Sequence, residues 1–260
     1  MITIKNDKII AEISEKAAEV YSFKKIGEDY SYSWNGDPKY WKGRNPILFP
    51  QVSSTDNKTV LIDGNYYPMG NHGFARNSTF HVDSVSTNEV TLSLNENEET
   101  LKQYPFKFKL IVNYKLVDYK LIISYSVKNC GDINMPHGFG LHPAFNCIDG
   151  YVDTKIVFDK EEVVGKELII NQELFKKYPT VEIENPKSTK ASLISGDKKI
   201  TVSYDGFKIL AIWSNGPFVC IEPWMNLTEQ DHNIEMKDRK NINILEPNGE
   251  FNINYSWELD

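Results

Sequence analysis

The chain has five histidines, and three of them fall in two short runs rich in glycine and aromatic residues. "NHGFARN" carries Asn71, His72 and Arg76, and "MPHGFGLHPAFN" carries His137 and His142. A third run, "GPFVCIEPWMN", sets Glu222 behind the apolar stretch Phe218 to Ile221 and ahead of Pro223 and Trp224. Histidine changes charge near neutrality. A carboxylate at the end of a buried strand, beside an indole, has its pKa raised by desolvation and becomes a better general base. These are parts for acid–base chemistry. A metal centre is the competing use, but it needs three or four converging ligands. The chain has neither H-x-H nor H-E-x-x-H, so no metal is expected. His137 and His142 are five positions apart, an odd spacing that puts them on opposite faces of a plain strand. His81 and His232 read as ordinary polar residues of half-buried strands.

Arginine is scarce here: Arg44, Arg76 and Arg239 are the only three. Its planar fork fixes hydrogen bonds that lysine cannot copy. Arg44 in "WKGRNPILFP" and Arg76 in "NHGFARN" lie among Gly, Pro and aromatics, positions suited to sugar hydroxyls, a carboxylate or a phosphate. Arg239, in the charged run "EMKDRK", reads as surface.

Strands must position these groups. "FKFKLIVNYKL" places Phe106, Phe108, Leu110, Val112, Tyr114 and Leu116 on one face and its lysines on the other. "KLIISYSVKN" repeats the alternation, and the two-residue gap "DY" between the runs predicts a tight hairpin. "EVTLSLN", "KITVSYDG", "KILAIWS" and "FNINYSWEL" are further strands. Helical signals are confined to "NEETLKQYP" and "NQELFKKYP", each long enough for two turns. With no βαβ rhythm, the expectation is all-β: a large antiparallel sandwich or barrel forming one domain over residues 1–260.

Composition narrows the function. A net charge of −7 argues against nucleic-acid binding. No apolar run approaches a membrane span, and no signal peptide is visible. Cys130, Cys147 and Cys220 are odd in number, widely spaced and without C-x-x-C, as reduced cytoplasmic thiols are.

Taken in order, "NHGFARNSTF", "GLHPAFN" and "VCIEPW" resemble the galactose mutarotase (aldose 1-epimerase) superfamily, and "HGFARN" is similar to its hexose-6-phosphate branch. The resemblance runs from about Trp34 to Trp224. It implies a galactose mutarotase-like β-sandwich with an open sugar cleft, and interconversion of the α and β anomers of an aldose. By motif, it makes His142 the general acid and Glu222 the general base, with Arg76, His72, Asn71 and Arg44 as substrate contacts. It implies no cofactor, a small-molecule sugar or sugar phosphate as partner, and a monomer or homodimer. One departure stands out. The sugar-binding Asp of the family has no counterpart in "ELFKKYPTVEIEN", which leaves Glu182 or Glu184 as the substitute. A non-catalytic sugar-binding protein on the same fold is the alternative.

Overall fold

Alternation in the sequence becomes pairing in the computed structural model, which describes residues 1–148 and 150–260. Strands Phe108–Val117 and Lys120–Asn129 form the expected hairpin, with Val117 opposite Lys120 across the turn at Asp118 and Tyr119. Leu110, Val112, Tyr114, Leu121, Ile123 and Tyr125 are buried on one face, while the intervening lysines reach outward. Glu250–Leu259 pairs along the free side of Lys120–Asn129, and the sheet extends to nine antiparallel strands. Strands take 49% of the residues and helices 6%, so the all-β expectation holds. The two helical runs are shorter than two turns: Glu98–Leu101 and Gln172–Lys177, started by side-chain caps from Asn97 and Asn171.

The opposing six-stranded sheet contains Val181–Glu184, Ile209–Trp213 and Phe218–Trp224 side by side, then Gly140–Leu141 and Ile47–Leu48. Ala144–Asn146 also pairs with Phe218–Trp224. Parity divides its two faces. Val181, Ile183, Leu210, Ile212, Val219 and Ile221 join the main core with residues of the nine-stranded sheet. Phe145 meets Trp257 of the larger sheet edge-on at 5.1 Å. The alternate residues, including Glu182, Ala211, Trp213, Glu222 and Trp224, belong to the other face. Phe218–Trp224 is buried at every position, which is why its run lacks polar alternation.

Two short segments hold this second face in place. The carbonyl of Phe49 accepts the N–H groups of Phe74 and Ala75, drawing in the 3₁₀ turn Ala75–Asn77 that carries Arg76. Gly73 lies between, at φ +69°, and an added Cβ would sit 2.2 Å from the Phe49 oxygen. Left-handed backbone alone costs a residue with a Cβ about 1–2 kcal/mol. Gly73→Ala is expected to lower stability by more than about 2 kcal/mol once this overlap is added, read as a drop in the urea midpoint.

Arg239 departs from its surface expectation. It is 4% exposed, and its guanidinium donates to the carbonyls of Glu229, Asp231 and Ile234. It ties a loop together from inside, a role that a charged local sequence conceals.

Candidate active site

Glu222 and His142 come from neighbouring segments of the smaller sheet. His142 follows Gly140–Leu141, which pairs at Gly140 with Trp224, two residues beyond Glu222. The Nε2 of His142 lies 3.3 Å from Oε2 of Glu222, and both residues are buried. That carboxyl oxygen has no hydrogen-bond partner in the protein. Trp41 stacks on the His142 ring at 4.6 Å and 26°, while His72 and Trp213 each present an edge at 5.6 Å. The imidazole is therefore boxed on three sides, and its plane is set by packing. His137 takes the other side, in the core at 5.5 Å from Phe251 and 5.9 Å from Phe49. The two histidines part as their odd spacing predicts.

Burial governs the charge of the pair. It pushes the Glu222 carboxyl well above the ordinary carboxylate range, and Arg76 and the Trp224 indole oppose this without cancelling it. Burial also holds His142 well below the ordinary imidazole range, helped by His72 and Arg76. Both shifts disfavour separated charge, so the pair titrates as a unit: one proton leaves below the ordinary imidazole range and the other above the ordinary carboxylate range.

The cleft around the pair has a volume of about 360 Å³, near the lower end for small-molecule sites. Asn71, His72, Arg76 and Glu182 line it with His142 and Glu222. The Ser53 N–H donates to Nδ1 of His72 at 3.0 Å, and the Ser53 carbonyl accepts the His72 N–H at 2.8 Å. An accepting Nδ1 places the ring proton on Nε2, making His72 a neutral donor. Its pKa is pushed down to about 3 by burial, with Arg76 adding to the shift. Arg76 in turn feels the carboxyls of Glu19 and Glu222. Glu19 was not singled out by its sequence. It is buried and accepts the peptide N–H groups of Arg44 and Asn45 at 2.8 and 3.1 Å.

Of Glu182 and Glu184, only Glu182 lines the cleft. Glu182 pairs with Ala211, which pairs with Glu222, so the two carboxylates lie in one row across three strands. Strand spacing sets their backbones roughly 10 Å apart, with only the Ala211 methyl between them. Glu184 instead meets Lys240 at 3.1 Å, away from the cleft.

Arg44 is not brought to the cleft, contrary to expectation. Its guanidinium lies 3.7 Å over the Tyr21 ring and donates to the Asn35 carbonyl at 2.6 Å. The cation–π stack and the loop carbonyl commit the fork that a ligand would need.

Ligand-type atoms of His142, Cys220 and Glu222 lie within 4.8 Å of one another, the one metal-competent cluster among the described residues. Binding a metal requires deprotonated thiol and carboxyl groups. Burial pushes both in the opposite direction.

A two-sheet antiparallel sandwich with this cleft on the outer face of its smaller sheet is a galactose mutarotase-like fold. Residues 1–207 match the aldose 1-epimerase family, and the chain belongs to that family. The match spans Asn71, His72, Arg76 and His142 and ends before Glu222. A galactose mutarotase-like protein from Lactobacillus casei is 30% identical, with a TM-score of 0.93 and full coverage of both chains. A galactose mutarotase related enzyme from Lactobacillus acidophilus is 29% identical, with a TM-score of 0.92, covering 100% of this chain and 97% of that one. Protein LacX of Lactococcus lactis is 29% identical over 87% of this chain and 88% of its own length. Among the described residues, no helix is long and apolar enough to cross a membrane.

Proposed function

We propose that the chain is an aldose 1-epimerase acting on a neutral aldose, with Glu222 and His142 as its proton-transfer pair. The observation that carries this reading is the buried 3.3 Å contact between them at the floor of a polar cleft. Ring opening needs a base to take the C1 hydroxyl proton and an acid to protonate the ring oxygen. The aldehyde turns about C1–C2 and recloses on its other face, with the roles reversed. A pair holding one proton rests with it on Glu222 and supplies both functions through the less populated form with carboxylate on Glu222 and imidazolium on His142. Neither metal nor cofactor is required for these transfers.

Charge favours a neutral sugar over a sugar phosphate. Arg76, the one arginine among the described lining residues, shares the cleft with the carboxyl groups of Glu222 and Glu182 and also feels Glu19. Arg44 is committed elsewhere, and Lys39 lies over the ring of Tyr40. The His142–Glu222 pair is neutral overall while it holds one proton, so Glu182 alone offsets the Arg76 charge and, among the described lining residues, no further cation is left to pair with a phosphate.

NMR exchange spectroscopy on free and 6-phosphorylated glucose and galactose tests both parts. Accelerated exchange of a free aldose is the expected result. No acceleration of any sugar, alongside measurable binding, would instead make the protein a non-catalytic sugar binder. Glu182→Ala is expected to raise KM about 10- to 100-fold, the loss of a charge-assisted hydrogen bond, and Glu184→Ala to leave it unchanged.

A further inference from the structure

Beside the cleft lies a second, larger concavity of about 720 Å³, and the wall between the two is one residue thick. Tyr40 lines this groove and Trp41 the cleft. Pro179 lines the groove and Thr180 the cleft, while Trp213 lines both. Among the described residues, the groove holds no acid–base pair. Its lining combines the aromatic rings of Tyr40, Tyr151, Phe175 and Trp213 with the side-chain amides of Gln172 and Asn215. Among the described residues Lys176 is its only charged lining residue, and Glu173 pairs with it at 2.6 Å.

The walls are built rather than incidental. Tyr40 packs closely against Gly216, where an added Cβ would fall 2.6 Å from the ring. The Asn215 amide donates to the Tyr40 carbonyl at 3.3 Å. The Tyr151 hydroxyl bonds to buried Ser214, whose own hydroxyl donates back to the Phe218 carbonyl in the strand that carries Glu222. Tyr151 and Phe175 face each other at 6.2 Å across the far side.

Resting on the mutarotase reading, we propose that this groove is a second glycosyl subsite and that the substrate is a reducing disaccharide or longer saccharide. The reducing unit occupies the cleft with C1 toward His142 and Glu222, and the next unit crosses Trp213 into the groove. Aromatic faces with neutral amides suit the C–H faces and hydroxyls of an uncharged pyranose. A cleft of about 360 Å³ accommodates one small polar unit, and the adjoining volume accommodates the second.

Saturation-transfer NMR with maltose, cellobiose and lactose reads the subsite without turnover. Contacts to both rings are expected with the wild type. Phe175→Ala and Tyr40→Ala, each checked for a native melting profile, should lose the contacts to the non-reducing ring. Anomer exchange is measured in parallel. Phe175→Ala should cut disaccharide kcat/KM at least tenfold through KM while changing glucose and galactose less than threefold. Contacts confined to the reducing ring, no disaccharide binding, or equal losses on mono- and disaccharides would overturn the subsite. Absence of exchange on every sugar would overturn the mutarotase reading, and the ring contacts would then decide the subsite alone.

Discussion

Glu222→Gln is expected to abolish most of the anomer exchange while making the protein more stable at neutral pH. The loss should be about 10²–10⁴-fold, because the amide cannot take the C1 hydroxyl proton and packing around it is unchanged. The gain follows from linkage. Burial raises the folded-state pKa of Glu222 above its unfolded value of 4.5. Between those two values the folded state binds more protons than the unfolded state, so wild-type stability falls as pH rises. Below 4.5 both states are protonated and the penalty vanishes. Glutamine carries no such penalty at any pH. At pH 7 the variant should therefore melt about 2–4 °C higher, the shift that ~1 kcal/mol makes in a domain of roughly this size. The difference should close as pH drops towards 4. Calorimetry across that range, with exchange rates on the same samples, separates a catalytic loss from a folding defect. A variant both inactive and less stable at neutrality would show that Glu222 is held as a structural partner.

The nine-stranded sheet was the legible half of this fold. Its strands alternate because one face is wet, so "FKFKLIVNYKL" and "KLIISYSVKN" declare both pairing and turn. The smaller sheet hides itself. Phe218–Trp224 is covered on both faces, and its first four residues, Phe218 to Ile221, are apolar without alternation. Ile47–Leu48 and Gly140–Leu141 are two residues long, too short for any period to register. Yet this is the sheet that bears the cleft. His142 and Glu222 could be picked out by type and surroundings, but their 3.3 Å contact depends on strand order, which period cannot supply. Arg44 misled because scarcity and neighbours say nothing of direction. Its run turns where Glu19 caps the peptide N–H groups of Arg44 and Asn45, and the side chain lies down on Tyr21. Glu182 was one of two candidates, and register alone placed it opposite Ala211 in the row of Glu222.

His142→Asn should match the loss in Glu222→Gln, about 10²–10⁴-fold, and the double variant should be little worse than either one. Two groups that pass one proton act as a unit, so removing the second costs little once the first is gone. The pH profile distinguishes this from two independent groups. In open solvent, imidazole would lose its proton near 6.5, and activity depending on an imidazolium acid would fall above that pH. Here burial lowers the His142 pKa and raises that of Glu222. The second proton therefore leaves well below 6.5, and the remaining one is kept well above 4.5. Wild-type kcat/KM, corrected for spontaneous mutarotation, should hold level as pH passes through 6.5. It should decline only as that last proton leaves. In Glu222→Gln, any residual activity resting on His142 alone should lose this plateau. A wild-type profile that falls through 6.5 would mean that His142 titrates as an isolated imidazole, and the shared-proton mechanism would be wrong.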